Sequence, residues 1–179
     1  MSTPIGSITT LLLKENSKKN WELIAKRAIN NEADLKALMA CFFGENYRLN
    51  QRSSQCISKI HDIDRTVIEP YFNKMISELH QNSIDAYKRN VLRIFQDAMI
   101  PEDSLGQLFD KALAFLLDKG EAIAIHAFAM TVLRRICEQY PELSGEVIPA
   151  IEMILDESSS AGVKNRGHKE LKKLRKLYF

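Results

Sequence analysis

The chain has 179 residues, of which 45% are hydrophobic and 27% charged, and its formal net charge is only +2. That length and apolar content are enough to bury a core in one domain spanning residues 1–179, and they exclude a disordered chain. With 7 Gly and 5 Pro and no alternating runs of β-branched residues, the composition also excludes a sheet protein and reads as all-helical.

From the N-terminus, "MSTPIGSITTLLLKENSKK" has no early positive charge and an apolar centre of only "LLL", too short for a secretory segment. The expected location is cytoplasmic. The longest mostly apolar window, "AIAIHAFAMTVL" at 122–133, is shorter than the roughly 18–20 residues a membrane span needs, so no membrane partner is expected. Cys41, Cys56 and Cys137 stand singly in helical patterns, which predicts buried, reduced thiols rather than disulfides or metal ligands.

Apolar residues at spacings of three and four predict ten helices, in order 3–14, 17–29, 32–43, 46–61, 64–80, 83–98, 103–118, 121–138, 142–157 and 160–177. Leu105, Leu108, Phe109, Ala112 and Leu116 form one such stripe; Ile125, Phe128, Ala129, Val132 and Ile136 form another. Breaks at "GEN" (44–46), "HQNS" (80–83), "IPED" (100–103), "DKGE" (118–121), "YPEL" (140–143) and "ESSS" (157–160) carry the usual stop and start residues. In the last of these, Ser160 is placed to cap the final helix, and Gly167 permits that helix to pack closely on the one before.

Successive second helices superpose. "NQRSSQCISKI", "YKRNVLRIFQD", "IHAFAMTVLRR" and "KNRGHKELKKL" bring Ile57, Ile94, Val132 and Leu171 into one column at spacings of 37, 38 and 39. Two helices in a period of roughly 40 residues indicate an α-solenoid. Among the first helices, Pro70 and Pro149 sit inside "VIEPYFNKMI" and "VIPAIEMIL", two periods apart, where each is expected to bend a helix of a curved layer.

The proline-bearing first helix, the tight turn, and a second helix with an early Arg resemble HEAT repeats over nearly the whole chain. More narrowly, "KRNVLRIFQDAMIPED", "AFAMTVLRRICEQYPEL" and "SAGVKNRG" are similar to small bacterial HEAT-like proteins of unknown role, some of which carry an adenylosuccinate-lyase name. The resemblance implies a right-handed α-α superhelix (HEAT/ARM-like solenoid) of about five helix pairs. It also implies that the second helices line a concave face, where a non-enzymatic scaffold holds a protein or peptide partner.

Charge is sorted between the two sets of helices. The second helices total +13, while the first helices from residue 32 onward total −10, so a basic inner and an acidic outer surface are expected. Five positions before the aligned apolar column lie Arg52, Arg89, Ala127 and Arg166, about 140° round the helix from the buried face. The positions before those are Gln51, Lys88, His126 and Asn165. Two readings stand: the cations grip an anionic partner, or they bond to neighbouring repeats and hold the stack in register. The candidate partner-binding set is Arg52, Tyr87, Lys88, Arg89, Arg93, His126 and Arg166. A nucleic-acid-binding alternative uses its cations for phosphates and Tyr87 as the best stacking ring, with Trp21 and Tyr47 also outside the apolar stripes.

Enzyme chemistry finds little support. "SSSAGVKN" is similar to the serine-rich mobile loop of adenylosuccinate lyases, but lacks its Met-Pro and is one residue short. One Trp, and only Asp85 among the ladder arginines, argue against a HEAT-like DNA glycosylase. His61, His80, His126 and His168 are not at metal-ligand spacings, and no phosphate loop or Ser/His/Asp motif occurs, so no cofactor and no metal are expected.

Overall fold

The three-and-four stripes become ten α-helices in a computed structural model that describes residues 4–178, with side chains from 8 to 177. They are α1 (Pro4–Lys14), α2 (Lys18–Asn30), α3 (Glu32–Phe42), α4 (Tyr47–Ile63), α5 (Phe72–Ser77), α6 (Asp85–Ile94), α7 (Glu102–Leu117), α8 (Ile123–Gln139), α9 (Ser144–Glu157) and α10 (Ala161–Tyr178). The expected start of the first helix at residue 3 lies outside the described residues. Several starts are fixed by side-chain caps: Ser17 accepts from the Asn20 amide at 3.3 Å, Asn31 from Asp34 at 3.0 Å, and Asn46 from Leu49 at 3.1 Å.

The helices alternate between two layers. The odd-numbered helices form the first layer and the even-numbered ones the second, and the second runs without interruption from α2 through α4, α6 and α8 to α10. Between the layers lies one apolar core that includes Leu38, Phe42, Ile57, Ile60, Met75, Phe95 and Phe115, all buried. This is an all-helical solenoid of paired helices, and all but one of them lie close to where the stripes placed them.

One first helix departs from expectation. Instead of a helix over 64–80, the chain makes two single 3-10 turns, Arg65–Val67 and Glu69–Tyr71, followed by the six-residue α5. Pro70 sits at the start of the second turn, where a missing amide costs nothing, and the residue before a proline resists the helical conformation. Pro149 lies inside α9, where its sequence placed it. The second helix predicted to reach residue 98 closes at Ile94.

The last helix is seated as its sequence predicts. Ser160 accepts from the Val163 amide at 3.4 Å, and Val163, Leu171 and Leu174 are buried, each large apolar side chain stabilising the seat by about 1.5–3 kcal/mol. At Gly167 a Cβ would come within 2.6 Å of Leu155 Cδ2, so the absence of a side chain sets how closely α10 approaches α9. The three cysteines are free and buried, and burial pushes all three thiols above their ordinary range. Among the described residues no helix is long and apolar enough to cross a membrane.

Candidate functional site

The first turns of the second-layer helices carry a row of polar side chains that close the helix ends and the turns beside them. The carbonyls ending a helix have no partner within it. Asn20 donates to Leu11 O and Glu15 O, both at 2.8 Å, and Asn50 donates to Phe42 O at 2.7 Å. Lys88 reaches Gln81 O at 3.4 Å, and His126 Nε2 donates to Asp118 O at 2.8 Å. Asn50, Lys88 and His126 are evenly spaced along the chain, and that even interval marks the register of the repeat.

That register agrees with the alignment of Ile94 on Val132 and differs by one residue at Ile57. The residue following each clamp is Gln51, Arg89 or Ala127, so the counterpart of Arg89 on α4 is Gln51, and Arg52 is the residue next to it, turned by about 100°. The contacts agree. Arg52 Nη1 donates to Leu12 O of the preceding pair at 2.6 Å. Arg93 donates to Ser58 Oγ and, at 2.7 Å, to Asp62 Oδ1. Arg166 Nη1 donates to Gln96 Oε1 at 2.9 Å and to Thr131 Oγ1 at 2.6 Å. Three of the expected partner-binding arginines therefore tie one repeat to the one before it.

Lys88, His126 and Tyr87 are likewise occupied. The Lys88 and Glu121 side chains are 7% and 4% exposed and their charged atoms lie 2.5 Å apart, a pair closed off from solvent. His126 is buried under its carbonyl bond. Tyr87 is 3% exposed, stacks on Phe42 at 4.6 Å between ring centroids and donates to Met75 O at 3.2 Å. The expectation that Tyr87 offers a ring for stacking is corrected: one residue of offset from Lys88 turns it into the core.

Arg89 is the exception among the seven. Among the described residues it has neither a hydrogen bond nor an ion pair, and it lines a hollow of about 480 Å³ across the outer surface of the second layer. Trp21 of α2, Tyr47, Gln51 and Gln55 of α4, and Asp85 of α6 line the same hollow, and the first turn of α8 closes its far side. Trp21 Nε1 donates to Asn16 Oδ1 at 3.1 Å, which fixes its ring at the rim. Asp85 is 72% exposed and its cation neighbour is Lys88, 3.6 Å away. The hollow thus offers one guanidinium, one carboxylate, three amides, of which Asn16 is already engaged by Trp21, and two aromatic rings, a set suited to binding.

Gln55 and the engaged cations Arg135 and Lys111 lie outside the set expected from sequence. Arg135 donates to Phe95 O and Ala98 O at 2.6 and 2.8 Å, and Lys111 to Ile76 O and Ser77 O at 2.6 and 2.8 Å. A signal for Gln55 was present: Tyr47, Gln51 and Gln55 recur at every fourth position, one polar stripe on α4. Among the described residues no group of His, Cys, Asp or Glu is placed to hold a metal ion. No curated protein and no solved structure matches the chain. Paired helices, an even register of carbonyl clamps and cross-repeat cation bonds are instead accounted for by the match of residues 8–174 to the HEAT repeat domain, and the chain belongs to that family.

Proposed function

We propose that the chain is a non-enzymatic interaction scaffold that holds a protein or peptide partner on the face of its second-layer helices, at the hollow around Arg89. The observation that carries this reading is the contrast within one layer. Arg52, Lys88, Arg93 and Arg166 are bonded within the chain, whereas Arg89 is unpaired among the described residues and set among rings and amides. The lining of the hollow holds a single cation, Arg89, beside the Asp85 carboxylate and so gives a phosphate chain no run of positive charge to grip, and the peptide reading is preferred. Free, buried cysteines accord with a reducing, cytoplasmic setting.

Trp21 is the single tryptophan of the chain and lines the hollow, so its emission reports occupancy without a label. Peptides selected from a displayed random library are expected to shift that emission saturably. Arg89→Glu is expected to weaken them by about 10- to 100-fold, the value of a charge-assisted hydrogen bond, with the melting temperature unchanged. Arg52→Glu removes a bond between repeats and is expected to lower the melting temperature instead. Selected peptides that bind the Arg89→Glu protein as tightly as the parent would overturn the reading.

A further inference from the structure

The lining of the hollow is ordered in two parallel series. On α4, Tyr47, Gln51 and Gln55 recur at every fourth position, a step of about 6 Å along the helix. On α6, its neighbour in the layer, Asp85 and Arg89 recur at the same interval. Such an Asp and Arg normally attract one another across a helical turn. Here they do not pair: Asp85 has its ion-pair contact with Lys88 at 3.6 Å, and Arg89 has none among the described residues. The Gln51 and Gln55 side chains also make no hydrogen bond within the described chain.

Three polar side chains without a partner among the described residues, and an Asp85 carboxylate held by one ion pair at 3.6 Å, stand in two series of equal step and define what fits between them. An amide side chain donates and accepts at once, so it matches the N–H and C=O of one peptide unit. In an extended chain, residues i and i+2 turn those groups to the same edge at a separation of about 6.6–6.8 Å. That differs from the glutamine step by less than about 1 Å, a mismatch two flexible side chains absorb. The charged members decide the rest. Arg89 and Asp85 cancel, so a polyphosphate gains nothing from the pair, whereas a ligand carrying both signs engages each.

Building on the reading of this face as the binding surface, we propose that the hollow takes an extended peptide segment lying along α4. Gln51 and Gln55 bond its main chain at residues two apart. An acidic side chain of the segment meets Arg89, and a basic side chain two residues away meets Asp85. Trp21 and Tyr47, each at the first turn of its helix, flank the end of the segment nearest the start of α4.

The test uses acetylated, amidated nonapeptides free of tryptophan, titrated into the full chain and followed by Trp21 emission. Their centres are Glu-Ala-Lys, Lys-Ala-Glu, Glu-Ala-Glu and Ala-Ala-Ala. One of the two mixed-charge orders is expected to bind at least tenfold more tightly than the other three peptides. Asp85→Lys combined with Arg89→Glu is expected to invert the preference between the two orders. Gln51→Ala with Gln55→Ala, and separately N-methylation of the peptide at the two charged residues, are each expected to weaken binding by tenfold or more, with circular dichroism confirming the fold. Binding that tolerates both N-methylation and loss of the glutamines overturns the proposal. If library-selected ligands depend on Arg89 while these effects are missing, this proposal alone falls; if no Arg89-dependent ligand exists, the reading of the face falls with it.

Discussion

Tyr87 and Arg89 stand two positions apart in sequence and meet opposite environments. Neighbours along a helix differ by about 100°, so adjacency in sequence carries no information about a shared face. That is why the cluster "YKR" suggested one exposed patch, while the structure sends Tyr87 into the core, pairs Lys88 with Glu121 and leaves Arg89 in the hollow. Burial pushes the Tyr87 hydroxyl well above the ordinary tyrosine range. The sign of the consequence follows directly: with the folded value raised, the unfolded chain releases its proton first, near pH 10, and stability is complete below that pH and declines above it. Between pH 9 and 11 the parent is expected to lose stability more steeply than Tyr87→Phe, by up to about 1.4 kcal/mol per pH unit, in urea unfolding curves. At pH 7 the phenylalanine variant is expected to be less stable by about 1 kcal/mol, because Met75 O loses its donor. Parallel alkaline curves would count against this.

At the scale of the element, α10 shows how far sequence can be read. Its cap at Ser160, its buried Val163 and Leu174 and its close approach at Gly167 all follow from local rules that need no knowledge of neighbours. Gly167→Ala is expected to destabilise by about 1 kcal/mol, since Leu155 must move from a packed position, and Leu155→Ala in the same chain should relieve part of that cost. Thermal melts of the two single variants and the double variant measure the coupling; strict additivity would mean that the two side chains do not meet. What was not legible was register. Buried apolar columns align almost equally well with a one-residue shift, and only the carbonyl clamps of Asn50, Lys88 and His126 fix it. Nor was the break at Pro70 legible, because an interior proline is compatible with a continuing helix, as at Pro149, or with a fresh start, and the choice depends on what the adjoining helices leave room for.

For the molecule as a whole, the +13 of the second-layer helices overstated its free positive charge. Arg52, Lys88, Arg93 and Arg166 all donate to oxygens of a neighbouring repeat, and so do Arg134, to Glu170 at 2.9 Å, and Arg135, to Phe95 O. A repeat array of this kind is held by nearest-neighbour contacts, so its stability varies along its length. The first layer is thinnest at the third pair, where two 3-10 turns and the short α5 replace a full helix. Backbone amides between positions 65 and 77 are therefore expected to exchange with deuterium faster than those of α4 and α8, by about a factor of ten for each ~1.4 kcal/mol of lower opening energy. Uniform protection would contradict this. Phe72 of this stretch packs edge-on against Phe95 at the end of α6, and Met75 O accepts from Tyr87, so its transient opening would loosen the footing of Arg89 while leaving α2 and α4 in place. The thin pair is therefore expected to make the α6 wall of the hollow yield more readily than the α4 wall beside it.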